Sequence, residues 1–252
     1  MQKNRYYALG ILGMTAIVGS AFLQKERKIL AGEWVEYFST QPRWVIEDRY
    51  IVPDAQQVLV HAKMVHVNTK EELDDLSPED LQEVVDVQGD IYVLGKDMHT
   101  KGLVKKLFDE AKVTSGSYRG VNAEKMNEKD PAVPLYFEAG RRLENEGYMD
   151  RYAAEKLEVV VDATLAIMGA ENTRNETEAM WDKVNKKRED ASLVLFYESG
   201  ESSIFLLEGG DHNFLDNVIE WNLKHPDQKF SLLGVKPVSY KTPSENYKAS
   251  LK

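Results

Sequence analysis

The chain has 252 residues, of which 42% are hydrophobic, and this suffices for one globular domain with a hydrophobic core. The formal net charge of -10 at pH 7 argues against a nucleic-acid surface, because phosphate binding requires clustered basic residues. The absence of cysteine excludes disulfides, thiolate metal sites and cysteine nucleophiles, so any metal must be bound by His, Asp or Glu.

The N-terminal segment predicts a membrane anchor over residues 1–24. Its uncharged stretch runs from Tyr6 to Leu23, close to the shortest length that spans a bilayer as a helix. Basic residues flank this stretch on both sides, so its orientation stays open. A secretory signal peptide and a buried globular helix are the alternatives. The anchor implies a single-pass membrane protein with an extracytoplasmic domain, or a secreted protein if the segment is cleaved.

The remainder of the chain divides into three predicted parts. Residues 25–40 have the spacing of an amphipathic juxtamembrane helix, which Pro42 ends. Residues 41–240 are expected to form a single α/β (or α+β) domain, with a mixed sheet flanked by helices. Residues 241–252 form a polar tail.

Two strands are predicted at the start of the domain, over residues 43–52 and 56–67. Both are rich in β-branched and aromatic residues, and the Pro-Asp pair between them predicts a hairpin. His61 and His66 in the second strand lie on opposite faces, because side chains alternate along a strand. They cannot share one metal ion without a bulge, so we expect solvent-exposed histidines and not metal ligands.

The middle of the chain predicts alternating helices and strands. Residues 69–87 contain two helix starts and many acidic residues of a solvated face. Ile91–Leu94 predicts a short buried strand, followed by a turn at Gly95 and an amphipathic helix over residues 103–111. His99 lies in the loop between that strand and that helix.

A mobile loop is predicted over residues 113–130, because this stretch is rich in Gly, Asn and charged residues. After a short apolar run, a helical pattern begins at about Glu138. Residues 155–168 are apolar over a broad helical face, which predicts a core helix that ends at Gly169.

Arg174 is the next residue with a functional interpretation. Thr173 and Glu176 have capping-box spacing, which places Arg174 at the first position of a helix. A cation there opposes the helix dipole. Arg174 is therefore expected to have a carboxylate or an anionic ligand as its partner, unless it is simply exposed.

The C-terminal part predicts two strands within residues 191–210, a helix over 214–225 and a last strand over 229–238. The second of these strands is a run of apolar residues that ends in Glu208-Gly-Gly-Asp-His212. Two adjacent glycines allow a sharp turn or a close approach to a ligand.

Four residues are candidates for chemistry, because each follows a predicted strand or begins a predicted helix: His99, Glu138, Arg174 and His212. In a parallel or mixed sheet such ends converge on one edge. Two histidines and Glu138 can bind a divalent metal that activates water. Without a metal, a histidine can act as general base while Arg174 stabilises an oxyanion. For His212 alone, a tight turn with a surface histidine is the simpler interpretation.

Four motifs follow one another within residues 90–240: DIYVLGKDMH, DPAVPLYFEAGRRL, NTRNETEAMW and IFLLEGGDHN. Their order resembles that of the TraB/Tiki-type proteins, in the wider group with ChaN-like and erythromycin-esterase-like proteins. The first turn is one residue longer than the Gly-x-x-His of that group. The resemblance implies a membrane-anchored hydrolase, metal-dependent and protease-like in the Tiki proteins and an esterase elsewhere. It also implies that His99, Glu138, Arg174 and His212 form the site.

Two other classes remain open. A non-catalytic protein can use the same membrane anchor to present an acidic α/β domain to a protein partner. A small-molecule binding domain can use the Gly209-Gly210 turn and a helix N-terminus, although Glu208 and Asp211 would repel phosphate there.

Overall fold

The structure is a computed structural model that describes residues 28–65, 76–114, 126–128, 138–173, 178–210 and 212–241. Seven strands and six helices lie within these ranges. In chain order they are α1 (Ala31–Ser39), β1 (Trp44–Tyr50), β2 (Gln57–Met64), α2 (Pro78–Thr100), β3 (Lys106–Thr114), β4 (Met126–Glu128), α3 (Glu138–Asn145), β5 (Asp150–Lys156), α4 (Leu157–Thr173), α5 (Glu178–Ser199), β6 (Ser203–Gly209), α6 (Phe214–Lys224) and β7 (Phe230–Pro237).

One mixed sheet contains all seven of these strands, which confirms the predicted mixed sheet flanked by helices. Its order is β1-β7-β2-β6-β3, and both β4 and β5 pair with β3. Five strands, β7, β2, β6, β3 and β5, run parallel, whereas β1 and β4 are antiparallel to their neighbours. Parallel neighbours require crossover connections, and helices α2, α3, α5 and α6 lie in these connections.

Two hydrophobic cores cover the two faces of the sheet. Helices α1, α2 and α3 pack on one face, and α5 and α6 pack on the other. Alternation along each strand sends successive side chains to opposite cores. In β6, Phe205 and Leu207 join the first core, and Ile204 and Leu206 join the second. Because both faces are covered, the central strands are apolar along most of their length.

The predicted hairpin at the start of the domain is wrong. Strands β1 and β2 exist where the sequence places them, but β7 lies between them and pairs with both. Side chains of β1 alternate between buried and exposed, as suits an edge strand, whereas β7 is buried along nearly its whole length. Burial on both faces therefore places the C-terminal strand inside the sheet, between two strands that are neighbours in sequence.

Helix α2 begins at the predicted cap, where the Ser77 hydroxyl accepts a hydrogen bond from the Asp80 backbone N–H at 3.1 Å. The strand predicted at Ile91–Leu94 is wrong, because the helix continues through it to Thr100. Its buried side chains recur every three or four residues, which is the helical period: Val84, Val87, Ile91, Leu94 and Met98. Gly95 lets helix α3 approach, since a Cβ there would lie 2.5 Å from Leu143 Cδ1.

Residues 103–111 do not form the predicted helix, because β3 occupies most of this range. An amphipathic helix would direct its acidic residues to solvent. In the structure Asp109 and Glu110 are buried, and Asp109 accepts a hydrogen bond from the Arg151 guanidinium at 2.7 Å. Buried charge pairs therefore give this strand the sequence pattern of an amphipathic helix.

Two further predictions about helices are corrected. The strand expected at the start of residues 191–210 is the C-terminal part of α5, where Leu193 and Phe196 are buried at helical spacing. The helix expected over residues 155–168 exists as α4, but it continues past Gly169 and is mostly exposed, so it is not a core helix.

Within the described ranges, no helix has the length and apolar character needed to cross a membrane. The predicted anchor, residues 1–24, lies outside the described residues, and so do residues 242–252 of the predicted tail.

Candidate functional site

The carboxyl end of β6 is a topological switch point of the sheet. Strand β6 lies between β2 and β3. The chain leaves β2 through α2, which packs on one face, but it leaves β6 through α6, which packs on the opposite face. Open α/β sheets bind ligands in the crevice that such divergent connections create. The Gly209-Gly210 turn therefore occupies the position in this fold where a functional site is expected.

His212 follows this turn and lies between two carboxylates. Its Nδ1 is 3.1 Å from Glu189 Oε1, and its Nε2 is 3.4 Å from Glu208 Oε1. All three side chains are almost fully buried. Glu189 also accepts a hydrogen bond from the Asn213 backbone N–H at 3.0 Å, so its carboxylate is fixed at the start of α6. The interpretation of His212 as a surface histidine is therefore wrong.

A buried arginine completes the cluster. Arg188 on α5 donates from Nη2 to Glu110 Oε1 at 2.8 Å and from Nε to Glu155 Oε1 at 2.6 Å. The second oxygen of Glu110 accepts a hydrogen bond from the Gly209 backbone N–H at 2.9 Å. This network fixes the β6 turn against β3, β5 and α5, and Arg188 binds two carboxylates at once.

Glu208 differs from the other carboxylates of the cluster. Its side chain is fully buried, and neither of its oxygens has a hydrogen-bond partner in the part of the chain that the structure describes. Its only polar neighbour there at ion-pair distance is the His212 ring. Leaving a buried carboxylate without hydrogen bonds costs several kcal/mol, on the order of magnitude typical of buried charges. A buried carboxylate without hydrogen bonds therefore needs an explanation, and a functional role is one explanation.

The pKa values of Glu208 and His212 are both raised above their ordinary values. Burial raises the pKa of Glu208 to about 8. Burial lowers the pKa of His212, but the Glu208 carboxylate and the hydrogen bond to Glu189 outweigh this effect and raise it to about 9. The two groups interact strongly, so their protons belong to the pair. In the charged form of the pair, His212 donates from Nδ1 to Glu189.

His61 lies next to this pair on β2, and its predicted solvent-exposed position is wrong. Its ring packs 5.3 Å from that of Phe214, and its Nε2 is 3.4 Å from the Glu208 backbone oxygen. Burial lowers the pKa of His61 to about 3, so this ring is neutral at physiological pH. His66 lies outside the described residues.

The structure does not bring His99 and His212 together. His99 is in the last turn of α2, and its ring lies 5.6 Å from that of Tyr148, which precedes the amino end of β5. His212 follows the carboxyl end of β6, which is parallel to β3 and, through it, to β5. Strands of this length separate the two edges by roughly 20 Å. Metal–nitrogen bonds are about 2 Å long, so the two histidines do not bind the same ion.

The other two predicted residues have different outcomes. Glu138 is the first residue of α3, on the sheet face opposite to α5, and the neighbouring Ala139 backbone N–H donates to Gln88 Oε1 at 2.9 Å. No contact in the described structure joins Glu138 to the His212 cluster. Arg174 lies outside the described residues.

No family model, curated protein or solved structure matches this chain. The case for a site therefore rests on its geometry. Within the described ranges, no three His, Asp or Glu side chains are arranged to hold one metal ion. Apart from Glu208, the carboxylates of the cluster are engaged, because Arg188 binds Glu110 and Glu155, and His212 Nδ1 faces Glu189.

Sequence reasoning missed four members of the cluster: Glu110, Glu155, Arg188 and Glu189. The two α5 residues lie in the charged run KKRED, which has the composition of a solvated helix face. A usable signal is present in β3, where Asp109 and Glu110 directly follow the apolar pair Leu107-Phe108. Both acids lie within β3, and a carboxylate in a buried strand needs a partner.

Proposed function

We propose that the protein is a hydrolase in which Glu208 and His212 form a general acid–base pair. The observation that carries this proposal is the Glu208 carboxyl group, which is buried without a hydrogen bond from the described residues and lies 3.4 Å from His212 Nε2. Pairs of titratable groups whose pKa values are moved by burial and by each other are typical of catalytic sites.

The proposed chemistry needs one base and one acid. In the charged form of the pair, the Glu208 carboxylate accepts a proton from a water molecule whose oxygen attacks a carbonyl carbon. Protonated His212 then gives its Nε2 proton to the leaving oxygen or nitrogen as the bond to carbon breaks. Glu208 returns the water-derived proton to His212, which restores the pair. Glu189 holds the imidazole orientation from Nδ1 throughout, as a positioning residue.

The resemblance to TraB/Tiki-type proteins supports the same reaction class. Of its four motifs, IFLLEGGDHN lies at the β6 edge, whereas DIYVLGKDMH lies in helix α2. The support therefore comes from the last motif and its histidine. Metal-assisted hydrolysis by His99, Glu138 and His212 is not part of the proposal, because His99 lies at the opposite edge of the sheet.

Hydrolysis of p-nitrophenyl acetate and of a fluorogenic peptide by the full-length chain tests the proposal. Because the pair is buried, a substrate reaches it only when neighbouring residues move, so small probes are the appropriate first substrates. We expect Glu208→Gln to lower kcat/KM at least about 100-fold, the usual contribution of a general acid–base group. Circular dichroism of the same variant should show a folded protein, so that the loss of rate reports the chemistry.

Glu36→Gln is the matched control, because Glu36 is an exposed residue of α1 away from the cluster. It should leave both the hydrolysis rate and the unfolding temperature unchanged. Equal hydrolysis rates for wild type and Glu208→Gln, or no hydrolysis of either probe by the wild type, would reject the acid–base role.

The non-catalytic alternative, an acidic α/β domain that binds a protein partner, has a separate observation in its favour. Helix α4 exposes several large apolar side chains, among them Leu165 and Met168. Exposed apolar patches on soluble domains typically mark interaction surfaces. Retention of partner capture by variants that lack Glu208 and His212 would separate this function from hydrolysis.

Membrane anchorage through residues 1–24 is part of the proposal. It is supported by the uncharged stretch from Tyr6 to Leu23 and the basic residues on both sides of it. Alkaline carbonate extraction of membranes from cells that express the full-length chain measures it. The chain should stay in the membrane pellet, and its release into the supernatant would argue against an integral anchor.

A further inference from the structure

Helix α4 is apolar on most of its surface and yet contributes little to either core. Its sequence, LEVVVDATLAIMGAENT, contains only two charged residues among its first 14 positions, Glu158 and Asp162. Four large apolar side chains stand well exposed: Leu157 at 38%, Val161 at 46%, Leu165 at 62% and Met168 at 52%. A helix of this composition is normally buried against something.

The exposed residues form one continuous stripe. Spacings of four, four and three residues place Leu157, Val161, Leu165 and Met168 on one side of the helix. These four residues are called the α4 stripe below.

The partner of α4 within the chain is the first part of α5. Lys187 Nζ and Asp162 Oδ2 form an ion pair at 2.8 Å between the two helices. The buried apolar side chains of α5 begin only with Leu193, so the first part of this helix also lies away from the sheet core. Within the described ranges, the two helices form a pair that leaves the α4 stripe uncovered.

We propose that the α4 stripe packs against the α4 stripe of a second copy of this chain. This inference does not depend on the acid–base site. A two-fold contact requires a self-complementary surface. Glu158 on α4 and Lys183 on α5 are exposed, opposite in charge and without an ion-pair partner in the described structure. In an isologous contact each can face its opposite charge on the other copy.

The apolar segment 6–23 of the same chain is a weaker candidate to cover the stripe. The described chain begins at Lys28, whose Nζ donates to the Ala55 backbone oxygen at 2.7 Å, just before the amino end of β2. Helix α4 starts at the carboxyl end of β5. Segment 6–23 is proposed above as a membrane anchor, so it does not also cover the stripe.

A lipid surface is also a weaker candidate. Interfacial helices carry Lys and Arg beside their apolar face, which attract anionic headgroups. Helix α4 has no basic residue, and its charged side chains are acidic. The surface therefore suits a protein with the same mixture of apolar and oppositely charged residues.

Disulfide trapping in the full-length chain tests the proposal, because the protein has no native cysteine. Leu165→Cys places a thiol at the centre of the stripe, and Leu223→Cys is the control, on α6 at 79% exposure. Both variants are dispersed in a mild detergent at two concentrations tenfold apart and oxidised with copper-phenanthroline. We expect Leu165→Cys to form a covalent dimer at least about ten times faster than Leu223→Cys, because a dimer contact holds the two thiols at a high effective concentration.

Maleimide labelling of the same variants distinguishes the other occupants. Slow labelling of the thiol at position 165 without dimer formation, at both concentrations, would show cover by the same chain and overturn the proposal. Protection only in the presence of lipid vesicles would show a membrane contact and also overturn it. Fast labelling under all conditions would show an uncovered stripe, with the same consequence.

Leu165→Glu supplies a second measurement that needs no oxidation. Light scattering should give the mass of a dimer for the wild type and of a monomer for this variant, with circular dichroism confirming that the variant is folded. An unchanged mass for Leu165→Glu would contradict the contact.

Discussion

His99 and His212 share a sequence pattern and differ in almost every physical respect. Each follows an apolar run, a glycine and an acid. His99 ends a helix at the amino edge of the sheet, half-buried and edge-on to Tyr148. His212 lies at the carboxyl edge, fully buried between Glu189 and Glu208. The comparison shows that a histidine becomes a candidate for chemistry through the carboxylates that the fold brings to it.

The largest expected effect comes from removal of the cation that holds the carboxyl-edge cluster together. Arg188→Ala leaves Glu110 and Glu155 buried without their shared partner. We expect the free energy of unfolding to fall by about 3–5 kcal/mol, as for other broken buried ion pairs. Chemical denaturation measures it.

Lys187→Ala is the control for that substitution, because Lys187 is the adjacent residue and its ion pair with Asp162 is exposed. Its effect should stay below about 1 kcal/mol. Similar losses for the two variants would mean that the buried network does not stabilise the carboxyl edge.

The second expected effect compares the two histidines directly. His212→Ala removes the only described polar neighbour of Glu208 and a partner of Glu189, so we expect a loss of about 2–3 kcal/mol in unfolding free energy. His99→Ala removes a ring contact with Tyr148 and should cost less than about 1.5 kcal/mol. Thermal unfolding of the two variants side by side measures the difference. A larger loss for His99→Ala would reverse the assignment of roles.

The smallest expected effect is a dependence of stability on pH. The pKa of Glu208 is raised from 4.5 to about 8 and that of His212 from 6.5 to about 9. In both cases the folded state binds the proton more tightly than the unfolded chain does. Stability from His212 is therefore complete below pH 6.5 and lost as pH rises through 9. The stability that protonated Glu208 contributes is lost as pH rises from about 4.5 to 8.

The unfolding free energy should consequently fall between pH 6 and 9. Glu208→Gln should flatten this fall, because it removes one titrating group and the carboxylate that raises the pKa of His212. His99→Ala should leave it intact. His61 has the opposite effect on the pH dependence, because its pKa is lowered. The stability that neutral His61 contributes is lost as pH falls from 6.5 towards 3. A profile that is equally steep in wild type and Glu208→Gln would contradict the assignment.

The parts of the fold with strong local signals could be predicted from the sequence. Strand β6 is a continuous apolar run that ends in two glycines, and α6 has a clear helical period with Asn213 as its cap. The order of these two elements is enough to place His212 at a strand end. The predicted mixed sheet rests on the same kind of signal.

Short apolar runs could not be assigned, because four or five adjacent apolar residues fit a buried strand and a buried helix equally well. Ile91–Leu94 and the start of residues 191–210 have the pattern of strands and belong to helices α2 and α5. Only the longer spacing of buried residues, such as Val84, Val87 and Ile91, distinguishes the two.

The partners of His212 could not be predicted, because they come from distant parts of the chain. Arg188 and Glu110 are 78 residues apart in sequence and 2.8 Å apart in the structure. In the sequence, Arg188 and Glu189 belong to a charged run that suits solvent, and Glu110 belongs to a predicted amphipathic helix. In the structure both stretches are buried and belong to one network. The local sequence pattern does not indicate that they are buried.

The insertion of β6 between β2 and β3 also affects how the chain is made. His61 on β2 and its neighbour Glu208 on β6 are 147 residues apart in sequence. During synthesis β2 and β3 leave the ribosome long before the strand that joins them, so each has an unpaired edge until β6 emerges. Such edges can pair with other chains. The central pairing of this sheet is therefore late and long-range, which favours slow folding.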